Sequence, residues 1–223
     1  MEALVADLVT DGYKISCEVA WAHPRYHQIV KMAQEFNADI LIQHCRAHAA
    51  LEHFHLTHDS WELVRNCPIP LLLVKDLDWG DDLVMMVAVD PMHSHKKPEQ
   101  LDNILLDAAI TFSKHTDANL HVVHAYAETA RPFAPAGKIK AEHESAFADL
   151  VSHYDFEQSQ LHLLDETPVY ALQNYGEKIN SDIVAMGAIS RSRLSEALIG
   201  STAERVLDYI KTDILIIKPA GDE

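Results

Sequence analysis

The residues with the clearest chemical signature lie in Met186–Ser201, MGAISRSRLSEALIGS. Gly187 follows an apolar run, Ser190 stands three positions on, and Gly200-Ser201-Thr202 opens a helical pattern. Glycine lets backbone approach a ligand closely, and the free N–H groups and positive dipole end of a helix N-terminus favour an anion by about 0.3–1 kcal/mol per exposed charge. Ser201 and Thr202 can cap the helix or hydrogen-bond the same anion. The same residues also suit two tight turns and an ordinary cap, so spacing alone leaves both readings open.

A second stretch, Gln43–His58 (QHCRAHAALEHFHLTH), sets five histidines, His44, His48, His53, His55 and His58, and Cys45 within sixteen positions. Imidazole and thiolate are zinc ligands, but no Cys-x2-Cys pairs here with a later His-x3-His. His53 and His55 share one side of an extended segment, and two ligands do not hold zinc. The expectation is an exposed loop and no native metal site.

Composition excludes several classes. Among 223 residues, 34 are acidic and 18 basic, a net charge of -16. A surface that neutralises nucleic-acid phosphates needs clustered Lys and Arg, so no DNA or RNA partner is expected. No run approaches the ~18 apolar residues of a membrane span, and MEALVADLVTDG has no basic-then-apolar signal pattern. The three cysteines, Cys17, Cys45 and Cys67, suit a reducing cytoplasm better than a disulfide framework. No G-x-x-x-x-G-K-[ST], G-x-G-x-x-G or G-x-S-x-G occurs, and nothing nominates a general acid or base, so no enzyme is expected. Trp21, Trp61 and Trp79 are scattered and read as core or inter-domain packing.

The positioning elements follow from periodicity. Apolar runs at 82–90, 120–126, 160–164, 182–186 and 213–218 alternate with helical patterns at 100–115, 138–153, 168–179 and 201–210. Alternation of this kind predicts an α/β, doubly wound parallel sheet covered on both faces. The last elements also occur earlier in the chain. Ala38–Ile42 resembles Ser181–Ala185, and Leu71–Lys75 (LLLVK) resembles Ile214–Lys218 (ILIIK), both at an offset of 143. Leu63 and Val64 fall on Val206 and Leu207 in the same register. The expected organisation is a tandem repeat, with 1–78 the second half of a first copy and 79–223 a complete second copy. The first copy contributes the tail of a helix and then a strand at 13–19. A complete first copy would need roughly 70 further residues upstream.

The offset carries Gly187, Ser190, Gly200 and Ser201 onto His44, Ala47, Thr57 and His58. No glycine survives there, so the histidine stretch is the decayed counterpart of the anion loop, and ligand is expected in the second copy only.

Strand-Gly187-x2-Ser190-x9-Gly200-Ser201-Thr202-helix, followed by a terminal ILIIK strand, resembles the universal stress protein family, and the tandem arrangement is similar to its two-domain E-type members. The resemblance covers the second copy and what is present of the first. It implies an adenine-nucleotide alpha-hydrolase-like, five-stranded sheet of order 3-2-1-4-5, with ATP and magnesium across the carboxyl ends of the first and fourth strands. Asp90 and Pro91, in VAVDP, would meet adenine or ribose, and Ala125 would touch the base through its backbone. Gly187, Ser190, Gly200, Ser201 and Thr202 would surround the phosphates. Asp90 also suits a plain Asp-Pro turn, and Ala125 plain strand core. Ser190 replaces a motif glycine, which costs about 1–2 kcal/mol if that position needs positive φ, although its hydroxyl could donate to phosphate. Arg191 and Arg193 are within reach of the same group. The resemblance further implies a cytoplasmic stress-response role without catalysis beyond incidental ATPase. Pairing through the last strands, Leu71–Val74 with Ile214–Ile217, would form a pseudo-dimer within the chain, or a homodimer. The alternatives are a nucleotide-free tandem protein acting through protein partners, and a His-rich metal-responsive variant.

Overall fold

The computed structural model describes residues 12–45, 56–75, 77–92, 100–127, 137–188 and 201–219. Seven strands, β1 (Leu41–His44), β2 (Leu71–Val74), β3 (Val84–Val89), β4 (Asn119–Tyr126), β5 (Leu161–Asp165), β6 (Ile183–Gly187) and β7 (Asp213–Ile217), form one sheet of order β1-β2-β7-β6-β3-β4-β5. Within β3–β7 this is the 3-2-1-4-5 order, and all its pairs are parallel. Helices α1 (Arg25–Glu35), α2 (His58–Asn66), α5 (Pro168–Ile179) and α6 (Ser201–Tyr209) bring Leu63, Val64, Leu172, Val206 and Leu207 to one core. On the other face, α3 (Leu101–Thr116) and α4 (Lys138–Val151) pack Leu105, Leu106 and Phe147. Strands buried on both faces favour apolar residues on both, which is why β7 reads after Asp213 as a continuous apolar run with no alternation.

The repeat holds at the level of hydrogen bonds. Leu41 pairs Leu71 and Val184 pairs Ile214, the same register displaced by 143. Asn37 and Asn180 both take positive φ, 52° and 51°, after α1 and α5. Their followers close the same turn, with Ala38 N–H donating to Ala33 O and Ser181 N–H to Gly176 O. Asparagine tolerates this left-handed conformation, which ends a helix without glycine.

The two copies meet where β2 and β7 run antiparallel, Leu72 opposite Leu215. At each end a lysine crosses the junction. Lys75 Nζ donates to the carbonyl of Ile210, and Lys218 Nζ donates to that of Cys67 at 2.9 Å. These are the same contact reflected through the pseudo-two-fold, since Cys67 and Ile210 are also 143 apart. Burial pushes both amines down to about 8.

Three expectations are corrected. Residues 13–19 form no strand, and Tyr13 and Val19 are exposed, because no neighbouring strand among the described residues offers them an edge to pair with. Trp21 packs against nothing at 99% exposure, whereas Trp79 donates its indole N–H to Asp213 Oδ2 at 2.8 Å. The histidine stretch is not uniformly exposed. His44 ends β1 on the surface, but Cys45 is buried, with its Sγ 3.9 Å from Ser60 Oγ. His58 is the first residue of α2, whose cap is Thr57, and His48, His53, His55 and Ala47 lie outside the described residues.

Candidate functional site

Strand order reverses between β3 and β6, which neighbour each other but lead to helices on opposite faces. In open α/β sheets this divergence leaves a crevice beyond the carboxyl ends. Ala88 pairs Met186 and Val89 pairs His124, so Asp90 and Ala188, each just past its strand, stand level with Ala125 in the last pleat of β4. Asp90, Pro91, Ala125 and Gly187 are all half-buried. The register thus brings together the residues expected from the first, second and fourth strands.

Asp90 is held from two sides. Its N–H donates to Asp102 Oδ1 at 3.2 Å, and the preceding carbonyl, of Val89, lies 3.1 Å from His124 Nδ1. Asp102 sits in the first turn of α3 and is 3% exposed. An acidic residue there complements the positive end of the helix. His124 is 1% exposed, with Nε2 2.8 Å from His143 Nδ1 on α4. Burial lowers the pKa of His124. The Val89 bond and the carboxylates of Asp90 and Asp102 oppose that, while His143 adds to it. No periodic signal marks this pair, because nothing local says that residues 19 apart on a strand and a helix will meet.

Gly187 was expected to serve a turn or a close ligand approach. Its φ lies outside the left-handed region, and a Cβ there would sit 3.0–3.4 Å from three atoms of the Leu101 side chain. The glycine makes room for the first residue of α3, so it ties the fourth-strand end of the site to the helix carrying Asp102. Gly187→Val is expected to destabilise the fold by about 1–3 kcal/mol through overpacking, measured by urea unfolding. A variant as stable as the wild type would show that Leu101 yields freely.

Ser190 and Gly200, with Arg191 and Arg193, lie outside the described residues. Ser201 and Thr202 open α6, and their side chains are likewise outside what is described. Among the described residues no three His, Cys, Asp or Glu side chains gather as metal ligands, and no helix is long and apolar enough to cross a membrane.

The sequence model described as "Universal stress protein family" matches residues 84–218. The chain is similar to Universal stress protein E of Photorhabdus laumondii subsp. laumondii, 28% identical over 95% of this chain and 71% of that protein. It is 26% identical to Universal stress protein E of Escherichia coli K12, over 93% of this chain and 69% of the relative. Among solved structures, a putative universal stress protein from Pseudomonas aeruginosa UCBPP-PA14 superposes with a TM-score of 0.79 at 26% identity, covering 98% of this chain and 77% of that one. A universal stress protein from Archaeoglobus fulgidus DSM 4304 shares the fold, with a TM-score of 0.71 at 19% identity, covering 97% and 75%.

Proposed function

The chain belongs to the universal stress protein family, and on that premise we propose that it is a non-catalytic, cytoplasmic stress-response protein that binds ATP in its second copy. The observation that carries this is the level placement of Asp90, Ala125 and Ala188 at the β3–β6 divergence. A nucleotide would lie across this divergence, its base and ribose at the Asp90 end and its phosphates at the N-terminus of α6. Asp90 would accept from ribose or adenine. Gly187, Ser190, Gly200, Ser201 and Thr202 would line the phosphates, and magnesium would accompany them. The backbone bonds at Asp90 and Val89 spare that segment of main chain the ordering cost of binding.

Calorimetric titration with magnesium-ATP tests this. Micromolar binding is expected, weakened at least about tenfold in Asp90→Ala, the scale of one lost charge-assisted hydrogen bond. Absence of heat at millimolar ATP would sink the assignment. That outcome would favour a second reading, engagement of a protein partner without nucleotide. The observation behind it is the exposed apolar flank of the first copy, Val19, Trp21, Phe36 and Ile42. The β2–β7 junction holds the two copies together in either case.

A further inference from the structure

The carbonyl of Val89, His124 and His143 form one hydrogen-bonded line ending beside the candidate nucleotide edge. A carbonyl only accepts, so His124 Nδ1 carries its proton, and in the neutral ring Nε2 is left as an acceptor. His143 Nδ1–H then donates across the 2.8 Å gap. The two ring planes are inclined by 24°, and Tyr126 flanks His143 with ring centroids 5.3 Å apart. One added proton fits without breaking this line, because either ring can be the imidazolium and donate to the other. Two added protons do not fit, since two N–H groups would then point at each other. The geometry therefore stores one proton and no more.

The groups around it make that proton consequential. Asp90 follows β3, Asp102 comes from α3, and His143 and Phe147 come from α4. Asp165 of β5 pairs with Tyr126, and Asp107 and Asp149 line a cleft with Asp102. Glu142, next to His143, is ion-paired to Lys138 at 3.7 Å. Asp90, Asp102 and Asp165 thus set three carboxylates at the carboxyl edge, a poor setting for a polyanion while both rings are neutral.

We propose that His124 and His143 share a single proton whose uptake strengthens ATP binding at the Asp90 edge, so that the second copy holds nucleotide more tightly in acid. The proposal deepens, and rests on, the nucleotide reading above. One positive charge close to Asp90 offsets one carboxylate in a partly desolvated crevice, where a unit charge at such range is worth about tenfold in affinity. By linkage, ATP in turn raises the pair's affinity for its proton.

The test is titration of the full chain with magnesium-ATP at pH 7.5 and 5.5, in wild type and in His143→Leu, which removes the second ring while keeping an apolar side chain against Tyr126. Wild type is expected to bind about tenfold more tightly at pH 5.5. His143→Leu is expected to lose that gain, and the ligand's own titration is common to both. Equal gains in the two proteins would overturn the proposal. Imidazole NMR of the ligand-free wild type separates the two premises. A coupled, one-proton titration of both rings, displaced by Asp90→Asn, assigns any absence of ATP binding to the nucleotide reading. Independent titration of the rings overturns the proton pair whatever ATP does.

Discussion

Lys75→Ala is expected to lose about 3–5 kcal/mol of folding stability, the range for removing one partner from a buried polar pair and leaving a cavity. Lys75 is 2% exposed, and it stops the carbonyl of Ile210 from being buried without a donor. Its amide also donates to Asp213 Oδ1 at 2.7 Å, and Asp213 is itself almost fully buried. Burial holds Asp213 above the usual carboxylate range, opposed by its bonds from the Lys75 amide and Trp79 and by the Lys75 charge. Alanine would leave the Ile210 carbonyl unpaired and Asp213 without its neighbouring cation. Lys75→Met keeps most of the volume and should lose markedly less, because a buried charge itself opposes folding. The lysine's own pH dependence follows from its direction of shift. With a folded pKa of about 8 against 10.5 unfolded, the unfolded state binds more protons between those values, so stability rises with pH through that window. The Cys45 and Cys67 thiols, raised by burial, work against the rise once unfolded thiols ionise near 9. Urea unfolding of both variants checks this. Stability within 1 kcal/mol of wild type in Lys75→Ala would show that the junction does not depend on the clamp.

Acid should unfold the protein through its histidines, with the steepest loss between pH 6.5 and 4. On the α5 side of the sheet His162 lies 2.9 Å from His121 and 2.9 Å from the Tyr175 hydroxyl. Burial, then the charges of His121 and Lys178, push His162 down to about 4. His121 and His124 are lowered too, chiefly by burial. His162 and His121 are neutral in the fold and protonate in the unfolded chain near 6.5, so the unfolded state binds more protons in that window and stability falls as pH falls. For His162 the shift corresponds to about 3 kcal/mol at most, and to about 1–2 kcal/mol once its partial exposure is discounted. Asp213 acts in the opposite sense lower down, taking its proton more readily when folded. Urea unfolding at pH 7 and 4.5 should therefore show a large loss in wild type and a smaller one in His162→Phe, which keeps the ring contact with Tyr175. Equal losses would mean that His162 is solvated and titrates normally.

Much of the architecture was legible because it is periodic. Apolar runs of strand length alternating with helical faces point to a parallel sheet, since burial on both faces stabilises continuous runs such as Ile214–Ile217. The 143-residue offset was legible for the same reason. Identical local patterns bury identical faces, and Leu63, Val64, Val206 and Leu207 all reached the core. The strand expected at 13–19 failed because a strand is not a local object, and its hydrogen bonds need a neighbour that the described residues do not supply.

The site divides along the same line. Sequence by itself determined which residue types stand at the strand ends, Asp90, Ala125 and Gly187, because those ends are set by where each apolar run stops. Only the tertiary structure decided that three neighbouring strands bring them together, that Gly187 yields space to Leu101, and that Asp102 and His124 hold the Val89–Asp90 peptide with His143 behind His124. Contacts of that kind join residues 12, 19 and 35 apart. They arise from the packing of α3 and α4 on β3 and β4, a relation with no period in the chain, since side chains from separate elements meet only once those elements are packed.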